Sequence, residues 1–395
     1  MTAAAPRPEP EPLPASIAGP ATTPEFDLLL ACCRVPLGRD PEQVDIAQAP
    51  GMDGVHLVQL AEYHGVVPRV YASLSASVLL TAVARETLRQ RSEANARRAL
   101  WLTHELRRVL DCLESRGMAA LAYKGPVLAE QLYGDVAQRQ FSDLDVLVHQ
   151  ADVAQVMSIL RELGYECGIK LSQRQERAYL ASGYEYTFDR GEQRNLLEIQ
   201  WQVLPRFYAV DFDMDGIFRR AVPVKLAGRA VKTLGPEDLL MVLCVHAAKH
   251  AWVRLSWLCD IVRLTECRTI DWGAVRLQAR HLGIARIMAT TLALADTLLD
   301  TKLAASLGLP DARLQKTWQE IMPSMADAAE YDAESLSYFR LMLRSRERWR
   351  DRMRFLWRLA STPGPQEWSA VQLPDWLFPL YRGVRIFRVA ARLGR

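Results

Sequence analysis

Leu121–His149 reads LAYKGPVLAEQLYGDVAQRQFSDLDVLVH, and its last eight residues, Ser142–His149, decide the fold. Leu144, Val146, Leu147 and Val148 form an aliphatic, partly β-branched run that predicts a buried strand. Residues two apart on a strand share a face, so Asp143 and Asp145 would stand side by side, with Cα atoms roughly 6–7 Å apart. Two carboxylates so placed are suited to clamp a metal ion.

Working upstream, Met118–Tyr123 is a short apolar strand candidate. It runs into Lys124-Gly125-Pro126 and then a helix over Val127–Leu132, where proline suits the first turn because its missing N–H is not needed there. A glycine turn ahead of a helix leaves backbone N–H groups pointing outward, next to the positive end of the helix dipole. Such a corner can hold phosphate, and Lys124 would reinforce it. A lone Lys-Gly turn is common, so this pattern is weak by itself.

Downstream, Val153, Val156, Met157, Leu160 and Leu163 mark an amphipathic helix closed by Gly164. Two further strands are expected at Tyr184–Phe188 and Leu196–Trp201, joined by a turn over Asp189–Asn195. Glu198, between Leu197 and Ile199, is either on a solvent face or a third acidic ligand. Val222–Leu226 and Ala230–Leu234 are short strand candidates ahead of Gly235-Pro236.

The flanks read as helical. Proline-rich residues 1–24 cannot bury enough surface to order themselves and are expected to be a disordered leader. Residues 25–117 form an N-terminal helical region whose longest helix, near Arg85–Arg116, stops at Gly117. The expected core of mixed strands and helices is 118–235, followed by a helical domain 236–345 and a basic segment 346–395. Residues 340–395 hold thirteen arginines against four acids. Arg382, Arg385, Arg388 and Arg392 would line one side of a helix whose other side carries Leu380, Val384, Phe387 and Ala391. Such a stripe can bind an acidic peptide, RNA or a membrane surface, or pack on acids of the same chain.

Composition narrows the classes. Of 395 residues half are apolar, enough for a sizeable core, and a net charge of +3 does not by itself point to nucleic acid. Seven scattered cysteines with no C-x-x-C pair argue against a zinc ribbon or disulfide framework and for buried free thiols. No eighteen-residue apolar run and no basic-then-apolar N-terminus are present, so a cytoplasmic protein without a membrane span is expected. His246 and His250 lie four apart on a predicted helix, but alanine at 247 denies them the glutamate of a protease-type zinc site.

The order of these pieces is strand, Lys-Gly turn, helix, Asp-x-Asp strand, helix, strand with Glu. It resembles the nucleotidyltransferase fold of the polymerase-beta type, an α+β fold with a small mixed sheet flanked by helices. Lys124-Gly125, Leu132-Tyr133-Gly134-Asp135, Arg139, Ser142–Val148, Leu163-Gly164-Tyr165 and Leu197–Trp201 are similar, more closely, to the bacterial "uncharacterised nucleotidyltransferase" family. The likeness continues through His246, Lys249-His250-x-Trp252 and Arg254-Leu255-x-Trp257-Leu258-x-Asp260-Ile261. Lys124-Gly125 departs from the superfamily's usual Gly-Ser turn, and Gln200 stands where the closer family commonly has histidine, which leaves a role for that side chain open.

The resemblance implies an Mg²⁺-dependent enzyme moving a nucleoside monophosphate from a nucleoside triphosphate, with ATP expected. Asp143, Asp145 and Glu198 would hold, in all, two ions. Lys124, Gly125 and Ser142 would meet the phosphates, with Lys249 and Arg254 reaching them from the helical side. Arg139 would be a second phosphate clamp, or would pair with Asp135 or Asp143. Natural-product gene neighbourhoods of the family, those of lasso peptides among them, imply a peptide or small-molecule acceptor rather than nucleic acid. Kinase-like phosphoryl transfer and a non-catalytic nucleotide- or peptide-binding protein are the alternatives.

Overall fold

The computed structural model describes residues 23–34, 52–308, 314–326 and 335–393. Residues 1–22 of the expected leader lie outside them. Helices α1 (Pro24–Arg34), α2 (Gly54–His64) and α3 (Val67–Leu74) precede α4 (Ala82–Ser115), a helix of 34 residues. Then come β1 (Ala120–Ala122), α5 (Gly125–Tyr133), β2 (Leu144–Val148), α6 (Val153–Glu162), β3 (Glu166–Cys167), α7 (Gln173–Ser182), β4 (Glu185–Arg190) and β5 (Gln193–Gln200). Helix α8 (Met214–Arg219) leads to a separate hairpin, β6 (Val222–Leu226) with β7 (Arg229–Thr233).

The remainder is helical: α9 (Pro236–Lys249), α10 (Leu255–Cys267), α11 (Trp272–Leu282), α12 (Ala285–Leu299), α13 (Leu303–Leu307), α14 (Leu314–Ala326), α15 (Leu336–Arg344), α16 (Trp349–Ser361), α17 (Pro365–Ala370) and α18 (Tyr381–Leu393). The class is α+β, as expected. The main sheet runs β1-β2-β5-β4-β3, with β2 and β5 parallel and the other pairs antiparallel.

Why the Asp-x-Asp strand reads as almost wholly apolar is now clear: the sheet is covered on both faces. Leu144, Val146 and Val148 enter one core with α4 and α6, whereas Leu147 enters a second, helical core. Helix α4 serves both, putting Ala84 and Leu88 into the helical core and Leu102, Leu106, Val109 and Leu113 against the sheet. Thr81 caps its first turn through Ala84 N, and Gly117, at φ 74°, takes the left-handed turn that ends it. The helices before and after the sheet therefore form one body, and it presses on the carboxylate-bearing face.

Buried histidine links that body together. His64 Nε2 donates to the Met325 carbonyl at 2.9 Å, and its Nδ1 accepts from Leu255 N at 3.3 Å, tying α2 to α14 and α10. Among the described residues no helix is long and apolar enough to cross a membrane. All seven cysteines are free: Cys32, Cys33, Cys244 and Cys259 are buried as expected, while Cys267 is exposed.

The basic C-terminus departs from a solvated arginine stripe. Arg385 and Arg388 both turn inward onto the buried Glu367, so these arginines serve an acid of their own chain, while Phe387 on the other side is left exposed. The side chain of Arg392 lies outside the described residues.

Candidate active site

Strand register assembles the site. Parallel pairing sets Asp145 opposite Glu198, and antiparallel pairing sets Glu185 of β4 opposite Gln200. Paired residues share a face, so three carboxylates and an amide point toward the helical body, and the intervening Leu144, Val146, Leu197 and Ile199 point into the other core. Asp143 stands just before β2, two residues from Asp145.

The Lys-Gly turn completes the corner. Gly125 has φ 53°, and a Cβ there would lie 3.2 Å from the Asp143 carbonyl oxygen, so both the backbone conformation and the close approach call for glycine. This turn starts α5 with Pro126 in its first turn and no side-chain cap. Lys124 Nζ lies 2.9 Å from Asp145 Oδ1, an almost fully buried ion pair.

Gln200, left open by the sequence, is the hub. Its Nε2 lies 3.1 Å from Asp145 Oδ1, 3.2 Å from Glu185 Oε2 and 2.9 Å from Glu198 Oε2. Tyr123 donates its hydroxyl to Gln200 Oε1, which aims the amide hydrogens at the acids. Glu185 and Tyr123 were not singled out in the sequence. Glu185 carries the same signal as Glu198, an acid set among strand-forming aromatics.

So much negative charge in a buried place distorts ionisation. Burial, then the charges of Asp145 and Glu185, pushes the Glu198 carboxyl well above the usual carboxylate range. Burial and Asp145 also raise Asp143. Burial works against the Lys124 ammonium, but Asp145 beside it prevails and holds its pKa above the usual value. One ammonium is too little cation for these acids, and a divalent ion suits hard carboxylate oxygens. Among the described residues no three His, Cys, Asp or Glu side chains stand ready-made as a ligand set, since Lys124 and Gln200 stand between the acids. The chemistry of the donors fits Mg²⁺ once the Lys124 ammonium gives way, with Gln200 keeping the carboxylates in place.

Arg139 pairs with neither Asp135 nor Asp143. Its Nε donates to Asp260 Oδ2 at 2.9 Å, and Tyr133 OH donates to Oδ1 of the same buried carboxylate at 2.8 Å. Asp135 instead caps the turn at 136–138 through Ala137 N. The reason is topological: α10 brings Asp260 into reach from 121 residues away, which local spacing cannot show.

A cavity of about 790 Å³ opens on this corner. Lys124, Gly125, Arg139, Ser142, Asp143, Asp145 and Arg254 all line it; Glu198 and Lys249 do not. Lys249 donates to Tyr184 OH at 2.9 Å, and burial lowers its pKa. Arg254 is exposed, with its guanidinium 5.9 Å from the ring centres of both Tyr63 and Trp257. His246, His250 and Trp257 form an aromatic wall with centroids 4.8–5.4 Å apart. Burial holds both histidines below their usual pKa, so the wall is neutral. The opposite wall is α4, whose Arg91 and Arg98 face the cavity. Arg98 donates to the Ser142 carbonyl at 2.8 Å and so steadies the chain next to Asp143. On a long charged helix these arginines look solvated, and the sequence had no means of marking them.

An acid-rich sheet face beside a Lys-Gly helix turn, opening on a basic cavity, is the make-up of a nucleotidyltransferase. The model of the uncharacterised nucleotidyltransferase family matches residues 50–300, more than half of the chain, and the protein belongs to that family. Comparison with curated proteins finds no significant match. Among solved structures, the chain is similar to the antibiotic-resistance factor ANT(2'')-Ia in solution, at 16% identity and TM-score 0.28, covering 50% of this chain and 89% of that one. A crystal structure of ANT(2'')-Ia in complex with adenylyl-2''-tobramycin is similar at 15% identity and TM-score 0.27, covering 52% and 98%. An antigenic nucleotidyltransferase-like protein from Paracoccidioides brasiliensis follows at 14% identity and TM-score 0.33, covering 52% and 92%. The family assignment rests on the sequence match.

Proposed function

We propose that the protein transfers a nucleoside monophosphate from a nucleoside triphosphate, ATP being the expected donor, to a hydroxyl or phosphate of a peptide or small-molecule acceptor. The observation that carries this reading is the register of Asp145 with Glu198 across β2 and β5, with Lys124 held on Asp145 at the mouth of the cavity. Asp143, Asp145 and Glu198 would hold Mg²⁺, which when bound neutralises phosphate charge and activates the attacking oxygen.

The chain's own groups do the rest. Lys124 and the free N–H groups at the start of α5 bind phosphate oxygens, and Gly125 lets the backbone come close to them. Arg254 and Arg98 supply positive charge at the rim, which draws in a polyanion. Tyr123 and Gln200 hold the carboxylates at fixed spacing. Glu198, whose affinity for a proton burial raises, would take up the proton of the acceptor hydroxyl.

Incubation with each of the four triphosphates, Mg²⁺ and candidate acceptor peptides tests this. Pyrophosphate release and an acceptor mass gain of one nucleotide support it. A gain of one phosphate alone shows phosphoryl transfer instead. Pyrophosphate release unchanged in Asp143→Asn and Asp145→Asn proteins would overturn the assignment of the site.

A further inference from the structure

Helix α16 is apolar on two opposite sides. Phe355 and Leu359 are buried in or against the core, as a packed helix requires. Yet Trp349 is 70% exposed, Met353 55%, Leu356 40% and Trp357 72%. At about 100° per residue these four fall within one stripe, with Arg350 on one margin and Arg352 on the other. Large aromatic side chains are seldom left this bare, and a contiguous set marks a surface that meets something.

The stripe does not end with the helix. Trp357 shares a groove of about 560 Å³ with Phe378, Pro379 and Arg382, and Trp376 and Phe387 of the same C-terminal segment are 76% and 75% exposed. Charge accompanies it. Among the described residues Arg350, Arg352 and Arg382 make no ion pair with a carboxylate, unlike Arg385 and Arg388, which are occupied by Glu367. Residues 340–395 carry thirteen arginines and four acids, but Arg344, Arg354 and Arg358 are also paired, with Glu320 and Asp211, so the charge left for a partner at this face is that of Arg350, Arg352 and Arg382.

We propose that this face, α16 with the 376–387 segment, docks on the surface of a bilayer containing anionic phospholipid. Tryptophan and methionine would enter the boundary between headgroup and acyl chain, where an aromatic ring with one polar edge is at home, and the marginal arginines would meet lipid phosphates. A hydrophilic acidic peptide would use the arginines but leave the Trp349–Met353–Leu356 row in water, and RNA, whose bases could stack on the tryptophans, offers nothing to Met353 and Leu356. The stripe lies outside the residues of the catalytic corner, so this inference stands apart from the proposed reaction.

The test uses the full chain and sedimentation with vesicles of phosphatidylcholine alone or with about a third phosphatidylserine. Binding to the anionic vesicles only, weakened by salt and with tryptophan emission shifted to the blue, is expected. Combined Trp349→Ser, Met353→Ser and Trp357→Ser should lower the vesicle partition coefficient about tenfold or more, with far-UV circular dichroism unchanged. Arg350→Ser with Arg382→Ser should reduce binding and flatten its salt dependence. Failure to bind anionic vesicles, equal binding to neutral ones, or full binding by the triple variant would each overturn the proposal. So would masking of the same tryptophans by self-association in vesicle-free solution, or by poly-glutamate or poly-uridine when vesicles do not bind.

Discussion

Lys124 Nζ sits 2.9 Å from Asp145 Oδ1, with the lysine side chain 12% and the aspartate 4% exposed. The pair joins the turn before α5 to the start of β2. Under the proposed function it would also give the ammonium a choice of partners: the carboxylate it now holds, or a phosphate of the nucleotide. Lys124→Met should therefore weaken nucleotide binding by about tenfold or more, since a charge-assisted contact is worth about 1.5–3 kcal/mol. Titration calorimetry with ATP and Mg²⁺ measures it. Lys124→Arg should not restore binding fully, because a planar guanidinium cannot take the place of a compact ammonium in so buried a corner.

Gln200 offers a sharper test of how the acids are held. Replacing it by leucine removes the donor shared by Asp145, Glu185 and Glu198 and the acceptor of Tyr123 OH, leaving buried polar groups unpaired at about 1–3 kcal/mol. Thermal unfolding should show that loss, and pyrophosphate release should fall by about tenfold or more. Gln200→His keeps one N–H for the carboxylates and should retain most of the activity. Equal turnover in the leucine variant would show that Gln200 does not position the acids.

How far the sequence could show this site depended on distance along the chain. The placing of Asp143 and Asp145 together, the glycine turn and Glu198 as an acid on a buried strand were legible, because each rests on a local rule: period-two alternation, positive φ at glycine, an acid inside an apolar strand. Partners set by tertiary contact were not. Asp260 reaches Arg139 across 121 residues, and Gln200 meets Tyr123 across 77. The expected strand at Tyr184–Phe188 appears as Glu185–Arg190, and Leu196–Trp201 as Gln193–Gln200, because hydrogen bonding extends the hairpin toward the turn at Gly191. The short β3 had no distinctive pattern, and helix α7 was marked only by the Ser172-x-x-Gln175 capping box at its start. The C-terminal stripe was legible as a stripe but its role stayed open, since helical spacing places arginines on one side without telling whether that side meets solvent or, as Arg385 and Arg388 do, an acid of the same chain.

Arg139 and Asp260 lead to a prediction about stability rather than chemistry. Both are nearly buried, at 10% and 1% exposure, and Tyr133 OH completes the carboxylate's bonding. Asp260→Leu strands a buried guanidinium and should cost about 3–5 kcal/mol. Adding Arg139→Leu should recover much of that, because an apolar pair has no charge to desolvate. Chemical denaturation of the two variants measures both effects. If the double variant regains stability and nucleotide binding, Arg139 serves packing; if it regains only stability, Arg139 also serves the cavity it lines.

His64 sets a dependence on acid that can be isolated from the carboxylate cluster. Burial holds its pKa at about 4, below the ordinary 6.5, and both ring nitrogens are engaged in the neutral form. Protonation would turn Nδ1 from acceptor to donor, facing the Leu255 N–H. The fold thus prefers the neutral ring, and its contribution to stability is full above pH 6.5 and is lost as pH falls toward 4. Through that window the unfolded chain binds the extra proton, so stability should decline by about 1.4 kcal/mol per pH unit from this residue alone. Denaturant unfolding from pH 7 to 5 should show a shallower decline in His64→Gln, whose amide can still donate to the Met325 carbonyl but does not titrate. An identical pH slope in the two proteins would mean that His64 takes up its proton in the folded state as readily as in the unfolded one.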